Sequence, residues 1–492
     1  MTNEHAVSYS FVREHGLLPT QRDGDRFEIA ARPPINRLAL AELRRRLQTP
    51  IVVKKLDSET FEQLVEAAYS HGENEAVAVA EGLEDASGMD ILQETLASPE
   101  DLLESDGDDA PLVRLINALL REAVQSNASD VHFEPFENHL SIRFRIDGTL
   151  REVLRPPRNL SSAILSRLKV MSRLDIAEKR LPQDGRITFN IGGRSIDVRV
   201  STLPCGHGER AVLRLLDKQS AHLRLDELGM SEHTLERVNE LLLKPHGIIL
   251  ATGPTGAGKT TALYAMLSAL DRFSRNILTI EDPIEYLLEG VGQSQVNSKI
   301  DMTFAKGLRA ILRQDPDVIM VGEIRDGETA QVAVQASLTG HLVFSSLHTN
   351  TAIGALTRLR DIGIQPFLLA STVTGVLAQR LIRKLCPHCK TPYTPDAREQ
   401  RMLKIEQSAD HPIYRATGCE HCAGTGYHGR TGVYELVTID QTLQGMIHDE
   451  VSEQQLEYQA RQQGPNIRAD ALRLLQAGVT TTEEVLRVTV SE

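Results

Sequence analysis

Tryptophan is absent from the 492-residue sequence, and aromatic residues make up only 4% of it. So few aromatic rings leave little for single-stranded nucleic acid to stack on. Basic residues are also outnumbered, with 54 Lys and Arg against 67 Asp and Glu and a formal net charge of −13. An acidic chain has weak nonspecific affinity for nucleic acid. Both features predict that nucleic acid is not a partner.

Long apolar runs are also missing. A membrane-crossing helix needs about 20 consecutive apolar residues, whereas the most apolar stretches, 247–251 and 318–321, have the length of a strand. The N-terminus carries Glu4, Arg13 and Glu14 and lacks the apolar core of an export signal. We therefore expect a cytoplasmic chain, and at roughly 150 residues per domain we expect about three folding units.

The first 110 residues predict a small domain and a linker. Residues 1–95 mix short apolar patches with charge, and helical spacing occurs at Phe61, Leu64, Val65 and Ala68. These patterns predict a small helical or mixed domain. Acidic residues and turn formers dominate 96–110, which predicts a solvated, flexible linker.

Residues 111–220 predict an α+β domain. We expect an amphipathic helix from Pro111 to Ala128, capped by Asp109. Alternating apolar residues then predict two antiparallel hairpins, which turn at Asp147-Gly148 and at Gly192-Gly193. A sheet with one apolar face must pack that face against helices.

From about residue 225, short apolar strands alternate with helices. This pattern predicts an α/β domain with a parallel-rich sheet that is covered on both faces. The expected strands are 247–251, 276–280, 318–321 and 342–346, and a helix is expected at 260–270.

A glycine-rich segment carries the strongest functional signal. The run Gly253-Pro254-Thr255-Gly256-Ala257-Gly258-Lys259-Thr260 matches the phosphate-binding pattern G-x-x-x-x-G-K-[ST] between an expected strand and an expected helix. We predict that its backbone N–H groups cradle the phosphates of ATP. Lys259 should reach the β- and γ-phosphates, Thr260 should bind Mg²⁺, and Thr261 should complete the contacts. A plain glycine-rich turn is the alternative.

Acidic residues follow two further strands. Glu323 follows 318–321, and Glu281, Asp282 and Glu285 follow 276–280. Ligands of open α/β sheets collect at the carboxyl ends of the strands. Glu323 is therefore a candidate for holding Mg²⁺-bound water, and one of the other three acids is a candidate for orienting the attacking water. For those three, a solvated acidic turn is the alternative.

Histidines and arginines offer further candidates. His341 and His348 bracket the strand expected at 342–346, and they either sense the γ-phosphate or serve the structure. A second group of candidates contains arginines, namely Arg309, Arg313, Arg199 and Arg214. The first two are four residues apart and are expected on one helical face. The other two lie in the preceding domain, and arginines from a neighbouring domain or subunit commonly complete such sites. A solvated surface is the alternative for Arg309 and Arg313.

Four of the five cysteines form two C-x-x-C pairs, Cys386 with Cys389 and Cys419 with Cys422. Two such pairs supply tetrahedral Zn²⁺ ligation, and four sulfurs leave no open position for a substrate. We therefore predict a structural zinc site inside a small subdomain. Cys205 stands alone and is expected to be an inert thiol.

Together these motifs resemble a known family, the secretion ATPases of the type II secretion and type IV pilus systems, and most closely its type II (general secretory pathway) branch. The resemblance covers nearly the whole chain from residue 111. Besides the phosphate loop and the cysteines it rests on 129–135, 180–186, 208–210, 281–285, 322–326 and 338–342. It implies a RecA-like phosphate-loop domain at 225–492 with a zinc subdomain at 386–422, preceded by a PAS-like α+β domain at 111–220 and a partner-docking domain at 1–95.

The resemblance also implies an activity. It implies a homohexameric ATPase on the cytoplasmic face of the inner membrane, close to acidic phospholipid, recruited by a bitopic protein and acting with a polytopic core protein. Its hydrolysis of ATP drives assembly of a pseudopilus that exports folded proteins. A type IV pilus extension ATPase is the first alternative, and a RecA-like nucleic-acid motor is the second.

Roles for individual residues follow from the same resemblance. Glu285 is implied as the catalytic base and Glu323 as the strand-end acid, while Glu281 and His341 are further expected nucleotide contacts. Gly322 stands where many phosphate-loop enzymes carry an aspartate, so Thr260 and water should hold most of the Mg²⁺. The arginines implied around the nucleotide and at subunit interfaces are Arg199, Arg214, Arg309, Arg313, Arg325 and Arg430.

Overall fold

A computed structural model describes residues 12, 15–23, 26–47, 50–58, 60–61, 64–65, 111–191, 194–217, 224–403 and 412–489. The chain forms two compact units, Met1–Gln219 and Ser220–Glu492. The expected linker at 96–110, the capping residue Asp109 and Ala68 lie outside the described residues, and the expected domain boundaries stay predictions. No described helix combines the length and the apolar character that crossing a membrane requires.

The first unit begins with a small mixed sheet. Its described strands are β1 (Leu17–Asp23), β2 (Arg26–Ala31) and β3 (Ile51–Lys55), and helix α1 (Arg37–Leu47) precedes β3. The β1–β2 pair is antiparallel and the β2–β3 pair is parallel. Leu18, Ile29, Leu43 and Phe61 fill one buried cluster. We expected a small domain that is either helical or mixed, and the described residues form a mixed one.

An antiparallel sheet follows in the same unit. Its described strands have the spatial order β6-β5-β4-β9-β8-β7. They are β4 (Ala128–Pro135), β5 (Leu140–Ile146), β6 (Thr149–Leu154), β7 (Gln183–Ile191), β8 (Arg194–Cys205) and β9 (Gly208–Asp217). Helices α2 (Pro111–Gln125) and α3 (Ser161–Met171) share a core with Val131 and Phe133 of β4. The expected α+β arrangement is confirmed.

Local backbone geometry explains why the predicted hairpin turn is correct and why the predicted end of the first helix of this domain is not. The hairpin expected at Asp147-Gly148 is present, and both residues have the positive φ, 48° and 84°, that a type I′ turn requires. The helix expected to reach Ala128 ends at Gln125 instead. Asn127 takes a left-handed φ of 51°, which terminates helices, and Ala128 already opens β4.

The other side of β4 is charged. Asp130, His132 and Glu134 alternate with the apolar residues, and all three are buried. Asp130 and Glu134 form ion pairs with arginines of the two flanking strands, namely Arg143, Arg145, Arg210 and Arg214. Buried carboxylates require such partners, so this face of the sheet is held by charge pairs.

In the described part of the second unit, a seven-stranded sheet has the order β12-β11-β13-β14-β10-β15-β18. Its strands are β10 (Gly247–Thr252), β11 (Ile277–Glu281), β12 (Gly292–Gln295), β13 (Val318–Val321), β14 (Leu342–Leu347), β15 (Val373–Leu385) and β18 (Tyr427–Thr438). A separate antiparallel pair consists of β16 (Thr391–Tyr393) and β17 (Ile413–Arg415). All neighbours in the large sheet are parallel except β15 and β18.

Helices cover both faces of this sheet. Ile319 and Met320, consecutive residues of β13, enter two different buried clusters, which confirms the expected coverage on both faces. The helices are α4 (Glu232–Leu242), α5 (Lys259–Ala269), α6 (Phe304–Ile311), α7 (Gly327–Leu338), α8 (Ala352–Asp361), α9 (Pro366–Thr372), α10 (Ala397–Leu403), α11 (Gln441–His448), α12 (Glu453–Ala460), α13 (Ile467–Gln476) and α14 (Thr482–Thr489).

Candidate nucleotide and metal sites

The glycine-rich loop joins β10 to α5 at the carboxyl edge of the sheet. Three of its residues, Gly253, Gly256 and Gly258, have φ of 152°, 77° and 85°, a region that other residues rarely adopt. A Cβ on Gly253 would lie 2.5 Å from the carbonyl oxygen of Gln379. Glycine is therefore required here both by the backbone and by the packing, and the loop forms a narrow cradle at the start of a helix, where anions bind.

Lys259 is the first residue of α5, and only 8% of it is exposed. Its Nζ donates to the carbonyl oxygens of Gly253 at 2.8 Å and Pro254 at 3.1 Å, so the ammonium group lies over the loop. Burial lowers the pKa of Lys259, the nearby Glu323 carboxylate opposes this shift, and the Arg380 guanidinium adds to it. These contacts place a cation where a phosphate chain would enter.

The other loop residues expected to bind nucleotide are arranged around Lys259. Pro254, Thr255 and Gly256 are exposed, and Ala257 is buried. Thr260 is exposed and Thr261 is partly buried, both in the first turn of α5. An exposed threonine hydroxyl next to the cradle fits the expected Mg²⁺ ligand.

Glu323 lies just beyond the carboxyl end of β13, as expected. Its side chain is 14% exposed and forms an ion pair with Arg325. Its second oxygen is 3.5 Å from Nε2 of His348, which follows the carboxyl end of β14. The structure therefore brings together the predicted residues Glu323, Arg325 and His348.

His341 lies at the opposite edge of the sheet. It precedes β14, and its Nδ1 is 2.8 Å from the carbonyl oxygen of Ala336. At about 3.3 Å per residue, β14 separates the two histidines by about 20 Å. The nucleotide contact that we predicted for His341 is therefore wrong for the loop of its own chain. His348 is the histidine at the carboxyl edge.

Glu281 does not face the cradle either. It is 2% exposed, and it accepts hydrogen bonds from the hydroxyl of Tyr264, from Thr279 at 2.5 Å and from Gln293 at 3.1 Å. Tyr264 belongs to α5 and Gln293 to β12. These contacts make Glu281 the interior acceptor that joins the helix after the loop to two strands, and they replace the nucleotide contact that we expected.

Glu285 and Asp282 lie in the segment that leaves β11. Asp282 is exposed and Glu285 is partly buried, so both are accessible, unlike Glu281. Tyr286, next to Glu285, packs edge-on against the Tyr264 ring with centroids 4.6 Å apart. Burial, together with the charges of Glu281 and Glu285, raises the pKa of Tyr286 to about 12. The aromatic pair thus fixes the backbone beside Glu285.

The predicted arginines lie at several places. Arg309 is on α6 and donates to Glu328 at 2.7 Å. Arg313 lies two residues beyond the end of α6 at Ile311, and its Nη1 donates to the carbonyl oxygen of Arg309 at 2.8 Å. The two arginines are therefore close together, but the expectation that one helix carries both is wrong.

Arg199 and Arg214 belong to the first unit. They are directly opposite each other on β8 and β9. Arg214 is 57% exposed and donates to Asp130 at 3.0 Å. Arg430, on β18 of the second unit, pairs in register with Arg383. The nucleotide and interface roles implied for these arginines stay predictions.

Two residues near the site, Arg380 and Tyr264, were not predicted from the sequence. Arg380 lies on β15, and its Nη1 would be 3.3 Å from a Cβ on Gly253. Tyr264 holds Glu281. The positions of both residues depend on how strands and helices pack across the sheet. The sequence shows each of them only as a polar residue within an apolar run.

The four paired cysteines converge as expected. Their sulfur atoms lie within 4.8 Å of one another, the one such cluster of metal-ligand types among the described residues. The pairs Cys386–Cys419, Cys389–Cys422 and Cys419–Cys422 are 3.9, 3.8 and 3.7 Å apart. Sulfurs about 2.3 Å from a tetrahedral Zn²⁺ are about 3.8 Å apart, so the site fits that ion.

Hydrogen bonds favour the thiolate form at one of these cysteines. Burial would raise the pKa of the Cys422 thiol, but N–H groups of Cys419 and Gly426 donate to its sulfur and, with the neighbouring thiols, lower its pKa, while the pKa of the Cys419 thiol is raised. The segment between the two pairs forms the β16–β17 sheet and α10, which is the small subdomain that the spacing predicted.

We expect Tyr264→Phe to lower the free energy of unfolding by about 1–3 kcal/mol, because a buried carboxylate loses a donor. The shift of the urea midpoint at unchanged slope measures this loss. Tyr458→Phe is the control, because Tyr458 is 72% exposed. Burial and the Glu281 charge raise the pKa of Tyr264. The loss should therefore persist below about pH 10 and shrink above it. Equal midpoints for the two variants at pH 7 would contradict this role.

Comparison with known proteins agrees with this geometry. A family model described as "Type II/IV secretion system protein" matches residues 105–487, and a model of one domain of "GSPII protein E" matches 6–69. The chain is 56% identical to "Type II secretion system protein E" of Pseudomonas aeruginosa over 486 residues, 99% of this chain and 96% of that protein. It is 53% identical to "Type II secretion system ATPase E" of Vibrio cholerae over 485 residues, 98% and 96% of the two chains.

Solved structures show the same fold. The Legionella pneumophila ATPase DotB matches with a TM-score of 0.59 at 20% identity, over 82% of this chain and 99% of that one. The pilus retraction motor PilT, solved with bound ADP, matches with a TM-score of 0.52 at 27% identity, over 75% and 96%. The fold is thus that of the RecA-like secretion ATPases, and the chain belongs to the type II secretion system protein E family.

Proposed function

We propose that this chain hydrolyses ATP to ADP and phosphate and that hydrolysis powers pseudopilus assembly and the export of folded proteins by a type II secretion system. The observation that carries the proposal is the Lys259 ammonium group, held at 2.8 Å over the carbonyl of Gly253 at the start of a helix. Family membership supports the same activity.

Each residue at the cradle has a proposed task. Backbone N–H groups of 253–260 bind the phosphates, and Lys259 leaves the loop carbonyls to bind the β- and γ-phosphates. Mg²⁺, when bound through Thr260 and water, neutralises phosphate charge. Glu285 accepts the proton of the attacking water, and Glu323 orients water from the end of β13. Arg325 and His348 hold the Glu323 carboxylate in place.

The remaining arginines have proposed roles at the nucleotide and at subunit contacts. Arg199 and Arg214 present an exposed pair on the first unit, and an arginine offered by another domain or subunit stabilises transition-state charge. Arg309, Arg313 and Arg430 are proposed at interfaces between subunits. A homohexamer would bring these groups to the nucleotide of a neighbouring subunit.

We also propose a location and partners. The chain acts on the cytoplasmic face of the inner membrane, where residues 1–95 bind a bitopic recruiting protein and the motor acts with a polytopic core protein. The match of residues 6–69 to the domain model of GSPII protein E supports the type II branch over a pilus extension ATPase. We propose Zn²⁺ as the ion of the four cysteines and a structural role for it.

Lys259→Ala should abolish turnover, with a loss of about 100-fold or more, because a preorganised phosphate-binding cation is removed. Phosphate release from Mg-ATP, measured on the full chain, tests this. Lys299→Ala, at an exposed lysine in a surface turn, should keep wild-type rates. Near-normal turnover by the Lys259 variant would refute the site.

Cys386→Ser should release the metal and loosen the 386–422 subdomain while nucleotide affinity stays within about twofold of wild type, because the cradle is built by other elements. Elemental analysis of the purified chain should find one zinc per chain, and hydrogen exchange should rise in β16 and β17. Cys205→Ser, which changes the exposed fifth cysteine, should leave both unchanged. A native chain without metal would disprove the zinc site.

Turnover should rise with vesicles of acidic phospholipid together with the cytoplasmic part of the bitopic partner, and DNA should not change it. The net charge of −13 disfavours nonspecific binding to DNA and so argues against a nucleic-acid motor. The expected effect of acidic phospholipid rests on the family resemblance instead. Phosphate release is measured with neutral vesicles, acidic vesicles and duplex DNA in turn. Stimulation by DNA alone would support the motor instead.

A further inference from the structure

Arg380 lies beside the phosphate-binding loop on a strand that no phosphate-loop pattern includes. Strand β15 pairs in parallel with β10, and the last pair in register is Thr252 with Ala378. The next two residues of β15, Gln379 and Arg380, therefore run alongside Gly253 and Pro254, where the loop begins. Position in the sheet, and not spacing in the sequence, brings Arg380 to the cradle.

The loop is packed directly against these two residues. A Cβ on Gly253 would lie 2.5 Å from the Gln379 carbonyl oxygen and 3.3 Å from Nη1 of Arg380. A Cβ on Gly258 would lie 2.8 Å from Nε2 of Gln379. Gln379 is only 2% exposed, and its Oε1 has no hydrogen-bond partner in the described part of the chain. The absence of side chains at Gly253 and Gly258 is thus what lets these groups approach the cradle.

Neutral acceptors orient the guanidinium group. Nη2 of Arg380 donates to the carbonyl oxygen of Asn350 at 2.8 Å and to its Oδ1 at 3.2 Å. The residue before Asn350 is tied to β10, because the hydroxyls of Thr349, in the loop after β14, and Thr252, at the end of β10, lie 2.5 Å apart. These bonds to amide oxygens fix the direction of the guanidinium group.

The charge of Arg380 acts on the cradle. Its guanidinium adds to the lowering of the Lys259 pKa that burial causes, so the two cations are close enough to repel each other. Glu323, the carboxylate that opposes this shift, is also paired with Arg325. Two cations that share one small region favour an anion between them.

We propose that Arg380 is a second phosphate-binding cation of the nucleotide site and that Asn350 is its positioning residue. This inference rests on the proposed function and adds to it. A guanidinium group offers two parallel donors to phosphate oxygens, which an ammonium group does not. The phosphate chain of a nucleoside di- or triphosphate is therefore the ligand that it contacts.

The test measures the Kd of fluorescently labelled Mg-ADP for the full-length protein. Arg380→Gln should raise Kd about tenfold or more, because a charge-assisted hydrogen bond to phosphate is lost. The Kd of Arg380→Lys should lie between those of wild type and Arg380→Gln, because lysine keeps the positive charge but loses the two parallel N–H donors of the guanidinium group. Arg398→Gln, at an exposed arginine on α10, is the control and should match wild type.

Two further readouts separate phosphate binding from a structural role. Asn350→Ala should raise Kd a few-fold alone and add nothing to Arg380→Gln, because both act through one contact. The dependence of log Kd on log salt should be shallower in Arg380→Gln than in wild type, because one charge pair is gone. If Arg380→Gln does not fold, the Arg380→Lys and Asn350→Ala variants still carry the test.

The outcomes distinguish this inference from the function on which it rests. If Lys259→Ala weakens binding while Arg380→Gln stays within twofold of wild type, Arg380 is not a phosphate ligand, and the proposed function stands. If wild type itself does not bind Mg-ADP, the proposed function fails first. Additive losses in the Asn350 and Arg380 double variant would overturn the positioning role.

Discussion

The buried Lys259 cation is the constraint on which the site depends, because no carboxylate within the described ranges of the chain contacts it directly. Lys259 meets two loop carbonyls with its ammonium group, and those carbonyls satisfy its hydrogen bonds but not its charge. Burying a charge is costly unless an opposite charge compensates for it. A phosphate chain supplies that charge, and the left-handed glycines leave the room for it. A bound phosphate chain would therefore complete the site by compensating the Lys259 charge.

Hydrogen bonds and ion pairs at the rest of the carboxyl edge fix the segments around this cradle. Tyr264 connects the helix after the loop to Glu281 on β11, and a hydroxyl pair at Thr252 connects β10 to the loop after β14. Glu323 lies between Arg325 and His348, which follow the neighbouring strands β13 and β14. Groups that are fixed before the ligand arrives need no reorganisation during the reaction. Such preorganised groups are usually the largest source of electrostatic stabilisation of a transition state. The buried Glu281 and the more accessible Glu285 thus have different tasks within one short segment.

Features formed by residues close together in the chain could be predicted from the sequence, and contacts between distant parts of the chain could not. The phosphate loop and the cysteine pairs are local patterns, and the structure has them as expected. The choice between His341 and His348 needed the direction in which β14 crosses the sheet, and the family resemblance favoured the wrong one. Arg313 was misplaced because a helix end at Ile311 leaves little trace in the sequence. Arg380 could not be found at all, since only the pairing of β15 with β10, strands far apart in the chain, brings it to the loop.

A crystal structure of the full chain with Mg²⁺ and a non-hydrolysable ATP analogue would show whether the nucleotide binds in this cradle. We expect phosphate oxygens within hydrogen-bond distance of the backbone N–H groups of 253–260, with the Nζ of Lys259 moved from the loop carbonyls to the phosphates. An empty cradle, with the analogue bound elsewhere on the chain, would contradict this expectation.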